Sequence, residues 1–582
     1  MNKNQSKKKD KETKCKIEYS NSDEDDDDSY QNVLQSNLLS LYGKSDKNSE
    51  YEKKPTETRI EFVKNLLVKN KINSMIDFDN CNTEMATSTR LDKKIINIKD
   101  FITSMNVDLI YIKSGSSGHI FKATSKTDPN VIFAVKVCAY PKDIYGHINN
   151  SLRPENAELR MLKLLGYFVI KRTTPHFVLP VCSFNTSITN FIKIPPNINL
   201  NNDKNNAYKE FIERYNNNEF EDLVSVLVSE WCNGGDLLDY IRKNYKDMTT
   251  KEWVVIIFQI LVTLAKIQLL HPPFRHNDMK ANNILIHFND NKNKPNSKYK
   301  YVIGDTYFII PDIGFQIKIW DFDFASIDGI IENNKLKVKW TNKMNITQKK
   351  NQYYDMHYFF NTLISKRFFQ QFYEGGAPQE IIDFVHRIIP EKYRNIPEEY
   401  RIIINNYDSI PKEYVTIMNS YSNIPDEYCE IITKYCTIPN DYLSIMDIID
   451  HIPEKYITIA DEYYKVSYNN RIINKNALEK YYKIPQKYRL MFEKYHNIPE
   501  EYKLIFKEYC DVPQKYISSY EKYHAVPEKL RSRYDKYQNI PKKYYQYAKL
   551  INRKGRIQVN EEYKTPYEVI LNDPLFEKYR FR

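Results

Sequence analysis

The 582-residue sequence predicts an α+β globular region carrying a large all-α segment, behind a disordered N-terminal tail. Three observations predict it. Blocks of opposite charge open the chain, strand-like runs give way to helical periods between about 100 and 387, and prolines recur every 14 residues beyond 390. Composition sets the outer limits: 41% apolar, 28% charged and a mean hydropathy of −0.64 allow packed cores alongside sizeable non-core segments. No run approaches the roughly 18 consecutive apolar residues of a spanning helix. Met1-Asn2-Lys3-Asn4 offers neither a signal core nor a glycine for myristoylation. The expectation is a soluble, cytoplasmic protein without a membrane span. Eight scattered cysteines, none in a CxxC pair, fit neither a disulfide framework nor a zinc site. The net charge of +11 is modest for this length and does not call for nucleic acid as a partner.

Residues 1–95 carry Lys7-Lys8-Lys9 and then Asp23-Glu24-Asp25-Asp26-Asp27-Asp28. Such blocks bury too little surface to offset ordering entropy, so a disordered tail is expected, with Ser22 as a candidate acidophilic phosphorylation site. In the globular part, Trp253, Ile256, Ile257, Ile260 and Leu264 recur at helical spacing after Thr249-Thr250, which predicts a long core helix to Leu270. Polar insertions interrupt the pattern at about 183–223 and 289–304.

From 390 to 550 the repeat takes over. Prolines stand at 397, 411, 425, 439 and 453, and again at 485, 499, 513, 527 and 541. Between them Tyr, Ile and Val recur at alternating spacings of three and four, a helical seam. A single continuous helix is excluded by magnitude: ten interior prolines at about 3 kcal/mol each would cost about 30 kcal/mol, more than a domain's net stability. Each proline also drives the preceding residue out of the α region, whereas a proline at the first helical position is welcome. Each unit is therefore expected to be a helix of about ten residues, too short to stand alone, stacked through its Tyr/Ile stripe into a solenoid-like array. The chain path across 460–482, where the 14-residue phase breaks, stays open.

The residues suited to chemistry fall between these segments. Gly115-Ser116-Ser117-Gly118-His119-Ile120 lies between two strand-like runs, as a phosphate-cradling loop or simply a hairpin turn. Lys136, in Phe133-Ala134-Val135-Lys136-Val137, puts an amine on a buried strand face and needs an anion, for which Glu158 and Glu155 on one predicted helix are the candidates. His276-Asn277-Asp278-Met279-Lys280-Ala281-Asn282-Asn283 forms a compact polar loop before an apolar strand. In it Asp278 can accept a hydroxyl proton, Lys280 can neutralise a phosphoryl group and Asn283 can hold a metal ion. Asp321, in Trp320-Asp321-Phe322-Asp323-Phe324, ends a strand with a carboxylate suited to Mg²⁺.

In order and spacing these motifs resemble the eukaryotic-type Ser/Thr protein kinases across about 100–387, and in composition those of giant DNA viruses of the mimivirus type. The resemblance implies a bilobal kinase-like fold using ATP and Mg²⁺, with an N-lobe at 96–232, a C-lobe at 233–389 and 551–582, and the array as an insertion into the C-lobe. It implies that Lys136 holds the nucleotide phosphates and pairs with Glu158, that Asp278 is the base, that Lys280 meets the γ-phosphate, and that Asn283 and Asp321 bind Mg²⁺. Lys113, Gly115, Gly118, Ile120, Ala134, Glu230, Cys232 and Asp236 would line the nucleotide, with Ser229 at the gatekeeper position. Asp355 matches the aspartate that buttresses the catalytic loop. The implied partners are protein substrates with serine or threonine hydroxyls, in host cytoplasm or virion; the array could recruit a substrate or protein partner, or merely extend the surface.

The sequence departs from the family in four places. Lys113 replaces the first loop glycine, Asn277 replaces an arginine, Asp323 replaces the glycine after the metal aspartate, and residues near Thr341–Asn345 stand where Ala-Pro-Glu is expected. The missing arginine predicts activity without activation-loop phosphorylation. Ala377–Phe384 and Thr565–Phe576 resemble late C-lobe helices, which is why the array reads as inserted. Two rivals remain at this level: a nucleotide-binding pseudokinase scaffold acting through the array, and a small-molecule phosphotransferase.

Overall fold

The computed structural model describes residues 55–581 apart from 79–88, 116–117, 143, 194, 196, 200–201, 203–204, 290–296, 468–469, 471–473 and 559–562. Ser22 and most of the expected tail lie outside the described residues. Two compact units emerge, one formed by 1–395 with 549–582 and the other by 396–548.

The first unit begins earlier than composition suggests. Residues 55–78, placed in the tail by the sequence, fold against the core: helix α1 (Pro55–Lys69) buries Val63 and Leu67, and the chain then buries Met75 and Ile76. A handful of apolar side chains on one face suffices, and average composition hides them. α2 (Ile98–Met105) leads into a five-stranded antiparallel sheet of order β1-β2-β3-β5-β4, made of β1 (Val107–Ser114), β2 (His119–Ser125), β3 (Ile132–Pro141), β4 (Pro180–Ser187) and β5 (Phe220–Glu230). Helix α3 (Pro154–Ile170) packs on β4. Ile76 fills a notch over Gly166 of α3, where a Cβ would lie 2.1 Å from its Cδ1.

The first polar insertion contains helix α4 (Asn206–Asn216), whose Tyr208 and Phe211 are buried against the sheet. Beyond β5 come α5 (Leu237–Asn244) and the long α6 (Thr250–Leu270). A capping box starts α6: Glu252 N–H donates to Thr249 Oγ1 at 3.2 Å, and Thr249 N–H to Glu252 Oε2 at 2.7 Å. By length and composition alone α6 could cross a bilayer, although Gln259, Thr263 and Gln268 interrupt its apolar run, as the sequence expectation has it. It is a core helix: its flanks are buried on nearly every side, as an all-round apolar helix requires.

Short antiparallel pairs organise the rest of this unit. β6 (Phe274–Arg275) pairs with β11 (Ser326–Ile327), and β7 (Ile284–Phe288) with β10 (Phe315–Ile319). The second insertion supplies a hairpin, β8 (Lys298–Ile303) and β9 (Thr306–Pro311), to which the C-terminal β12 (Arg580–Phe581) adds an edge. α7 (Tyr354–Leu363) and α8 (Gln379–Ile388) precede the array, and α20 (Pro566–Asn572) follows it and packs on α6. Arg387 of α8 clasps Asp573, donating from Nε at 3.0 Å and Nη2 at 2.7 Å, so helices on either side of the insertion close into one body.

The second unit consists of helices of 8–12 residues: α9 (Glu398–Asp408), α10 (Lys412–Ser422), α11 (Asp426–Tyr435), α12 (Asn440–Asp450), α13 (Glu454–Lys465), α14 (Lys475–Tyr482), α15 (Gln486–His496), α16 (Glu500–Cys510), α17 (Gln514–Ala525), α18 (Glu528–Gln538) and α19 (Lys543–Leu550). In the repeat units whose caps are described, each proline sits one position earlier than expected, as N-cap with extended ψ. The isoleucine or valine before it is forced out of the helix and buried at the joint, as at Ile410, Ile438, Ile498 and Val526.

The array does not run on as an open solenoid. It folds back on itself at the phase break, so that α9 packs on α18, α10 on α17, α11 on α16, α12 on α15 and α13 on α14. Half-buried tyrosines meet face to face between the two arms: Tyr407 with Tyr537 and Tyr421 with Tyr523 at 3.7 Å, and Tyr435 with Tyr509 at 3.5 Å. Behind them, Met418 is fully buried among Ile410, Val526 and Tyr534. Met418→Ala should therefore lower stability by about 2–5 kcal/mol, read as a lower urea midpoint for the array's transition. An unchanged midpoint would remove Met418 from the core.

Candidate active site

The strand run around Lys136 is hydrophobic enough to bury the middle of β3, Val135–Cys138, and the lysine goes in with it. Its Nζ lies 2.6 Å from Glu158 Oε1 on α3 and 3.3 Å from Asp321 Oδ1. The alternative partner, Glu155, is taken by Arg153 at 3.2 Å. Burial opposes the Lys136 ammonium, but Glu158 and Asp321 together outweigh it and hold the group protonated well above its ordinary range. Burial pushes the Glu158 carboxyl up to about 7, against the pull of Lys136. With two carboxylates on one ammonium, the ion pair is the ruling state. Burial also opposes ionisation of Asp321, yet Lys136, His276 and Lys280 keep it below the usual carboxyl value.

Asp321 adopts φ +64°, a left-handed conformation that an aspartate tolerates and that costs energy of the kind concentrated at functional sites. A ring column holds it in place: Phe168 of α3 meets Phe177, Phe177 meets Phe322, and Phe322 meets His276, whose Nε2 is hydrogen-bonded to Trp320 O at 3.0 Å. The catalytic-loop candidates form one hydrogen-bonded set. Lys280 Nζ donates to Asp278 Oδ2 at 2.7 Å, and Asn283 Nδ2 donates to Asp278 O at 2.9 Å and to Oδ2 at 3.0 Å. Trp320 N–H donates to Asn283 O at 3.1 Å, which ties this loop to Asp321. Beneath it the buried Asp355 of α7 accepts the backbone N–H groups of His276 at 2.7 Å and Asn277 at 2.8 Å.

The glycine loop spans the turn between β1 and β2; Ser116 and Ser117 lie outside the described residues. Gly115 N–H donates to Gly118 O at 2.8 Å. A Cβ on Gly118 would lie 2.6 Å from Val137 O, so the loop's base approaches β3 too closely for any side chain. Lys113 pairs in register with Ile120, and Ile120 with Lys136, which lines these residues up along the loop strands. The Asn-rich insertion braces the loop from behind. His119 is hydrogen-bonded to Ser114 Oγ at 2.6 Å and packs on Tyr208 at 4.7 Å and Phe211 at 4.5 Å, and burial lowers its imidazole to about 4. The insertion's composition marks a polar interruption, whereas the aromatic spacing Tyr208-x-x-Phe211 is the signal for a packed helix.

At the far end of β5, Ala134 faces Ser229 across the ladder. Glu230 turns its carboxylate inward, where Oε1 accepts Leu179 N–H at 2.7 Å, so any contact it makes with a base falls to its backbone. Cys232 is buried. Asp236 caps α5, accepting Asp239 N–H at 3.0 Å, and burial raises its carboxyl pKa.

Between Asp321 and α7 the chain is fastened by side-chain hydrogen bonds from the loop that carries Asp278. Asn277 Nδ2 donates to Phe324 O at 2.9 Å and to Thr347 O at 3.0 Å, gripping both ends of the segment. Arg275 donates to Asn345 O at 2.7 Å and to Thr347 Oγ1 at 2.9 Å. Asp323 is ion-paired with Lys335. Where Ala-Pro-Glu is absent, Asn345 Nδ2 donates to Ile557 O at 2.7 Å, so the chain returning from the array supplies the anchor.

No set of three or more His, Cys, Asp and Glu side chains able to hold a metal occurs among the described residues. The donors present suit Mg²⁺ nonetheless. Asn283 spends its amide N–H on Asp278, and its oxygen, with the Asp321 carboxylate, gives hard donors for an ion that keeps waters and takes phosphate oxygens.

A sequence profile described as poxvirus serine/threonine protein kinase matches residues 147–422, which take in Glu158, Asp278, Asn283, Asp321 and Asp355. A protein of Acanthamoeba polyphaga mimivirus, named as a candidate serine/threonine-protein kinase, is 61% identical over 368 residues, covering 63% of this chain and 79% of its own length. A second mimivirus protein so named is 26% identical over 282 residues, 43% of this chain and 70% of its own. The tousled-like 2 serine/threonine-protein kinase of Xenopus tropicalis is 44% identical over 59 residues, 10% of this chain and 8% of that protein.

Asp355→Ala should strip two buried N–H groups of their acceptor at about 1–3 kcal/mol each. Calorimetry should show a lowered melting temperature for the unit that holds the site; an unaltered transition would contradict the buttress.

Proposed function

The chain belongs to the viral-type serine/threonine protein kinases, and from that premise we propose that it transfers the γ-phosphoryl of ATP to protein serine and threonine hydroxyls through the residues assembled above. One observation carries the reading: the buried Lys136 ammonium is held jointly by Glu158 and Asp321, the arrangement in which phosphates can be gripped beside the base and the metal donors.

Asp278 orients the substrate hydroxyl and accepts its proton as the oxygen bonds to the γ-phosphorus; the bond from that phosphorus to the β–γ bridging oxygen breaks and ADP leaves. Lys280, already on Asp278 Oδ2, is placed to neutralise charge on the transferred group. Lys136 holds the α- and β-phosphates, and the loop of Gly115 and Gly118 covers them, with Lys113, Ile120 and Ala134 beside the nucleotide. The backbones of Glu230 and Cys232 take the adenine edge, and Asp236 lies toward the ribose. Asn283 and Asp321 would hold Mg²⁺, which supplies neutralisation of phosphate charge. The side chains of Asn277 and Arg275 satisfy the segment after Asp321 with backbone acceptors, which supports activity without a phosphorylated loop.

Purified full-length protein given [γ-³²P]ATP and a generic basic protein should label serine and threonine. Asp278→Ala should cut the rate by about 10²–10⁴-fold, and Asp321→Ala should abolish it. Absence of label from the unsubstituted protein, with Mg·ATP still raising its melting temperature, would favour a nucleotide-binding scaffold instead. Phosphatase treatment, verified by mass, should leave kcat within about twofold; a collapse would show that a loop phosphate is needed.

A further inference from the structure

The arginine missing at position 277 leaves a question of charge. The structure places another arginine beside the base, delivered by the segment that follows the array. Arg556 is buried, and its Nη2 donates to Asp278 Oδ1 at 2.6 Å while Nη1 donates to Asn277 O and, at 3.0 Å, to Tyr354 Oη. Its guanidinium lies 3.9 Å from the centre of the Tyr358 ring. The group therefore approaches Asp278 from the α7 side, the same side as Asp355, and one planar fork spans the base's carboxylate and the carbonyl of the residue before it.

We infer that Arg556 is a positioning residue for the catalytic base, orienting its carboxylate from outside the catalytic loop. The inference rests on the assignment of Asp278 as base. Three features support it. The carboxylate remains usable, because Arg556 occupies Oδ1 while Lys280 and Asn283 share Oδ2, and a carboxylate offers about four acceptor sites. The arginine is rigidly presented: Ile551 bridges Ile557, both fully buried, and between them Asn552 Oδ1 accepts the N–H groups of Lys554 at 2.9 Å and Arg556 at 3.1 Å. Asn361 of α7 fixes the turn further by donating to Gly555 O at 2.8 Å. The third feature is economy of contact, since this same turn accepts Asn345 through Ile557 O and so holds base and activation segment together.

This role differs from a plug in the cleft. A plug would compete with substrate, and its removal would raise activity. A positioning arginine acts on the geometry of Asp278, so its loss should fall on kcat and spare nucleotide binding.

The test uses the full chain and steady-state kinetics with Mg·ATP and a basic protein substrate. R556Q should lower kcat on the order of 10²-fold, the scale of a misplaced catalytic group, with KM for ATP within about twofold. R556K keeps the charge without the fork and should fall between R556Q and the unsubstituted protein. Ethylguanidinium should restore activity to R556G and none to D278N. An R556Q kcat equal to or above that of the unsubstituted protein would overturn the inference, and so would an R556G defect that ethylguanidinium leaves untouched. Should R556Q fail to fold, R556K decides: normal melting with normal kcat overturns the inference, and normal melting with kcat reduced by about tenfold or more upholds it. A fully active D278N would instead remove the base assignment itself, an outcome distinct from failure at Arg556.

Discussion

An ammonium taken out of water needs anions, and the first unit is organised by how Lys136 finds them. β3 is apolar on both faces, so Lys136 cannot reach solvent; Glu158 must come in on α3 and Asp321 must come up from the end of β10. Satisfying one buried charge therefore fixes a helix against the sheet and fixes the Asp321 carboxylate against both. The rings of Phe168, Phe177, Phe322 and His276 meet in succession, edge-on or tilted, from α3 to the residues flanking Asp321. The catalytic loop is attached to that succession through Trp320 and Asn283, and from below by Asp355.

The departures from the family's motifs read as one exchange. Where an arginine is missing, Asn277 makes two neutral hydrogen bonds that close the activation segment, and Arg556 supplies the positive charge from elsewhere. Where Ala-Pro-Glu is missing, Asn345 takes its anchor from Ile557, one residue beyond Arg556. Asp323, in place of glycine, is held by Lys335. The changes at 277, at 323 and at the Ala-Pro-Glu position each put a side-chain contact where the family has a charged or flexible part, while Lys113 stands exposed.

Local spacing made most of the site legible. Lys136, Asp278, Lys280, Asn283 and Asp321 each sit in short segments whose neighbours disclose strand or loop, so their place on strand or loop could be read without a fold. Arg556 could not be read that way, because it stands 278 positions from Asp278 and its own neighbours, Arg553-Lys554-Gly555, look like an ordinary basic turn. The array divides similarly. Its period, its proline breaks and its short helices follow from residue geometry, whereas the fold-back pairing of Tyr421 with Tyr523 depends on where the chain reverses, and only the phase break marked that place. The start of the folded chain was misplaced because Val63, Leu67, Met75 and Ile76 are too few to shift the composition of a charged segment, though enough to dock it.

The central claim is that the buried ion pair assembles the site. It is tested most directly by the rate of single-turnover phosphoryl transfer in the Glu158→Gln variant of the full-length protein. Removing Glu158 leaves the buried Lys136 ammonium with Asp321 alone, at 3.3 Å, a loss smaller than the about 3–5 kcal/mol of stranding a buried charge outright. The account predicts transfer slowed by at least about tenfold, which corresponds to only about 1.4 kcal/mol of that loss reaching the transition state. Transfer at the unsubstituted rate would contradict it, since the site would then assemble without the Glu158 charge that holds Lys136.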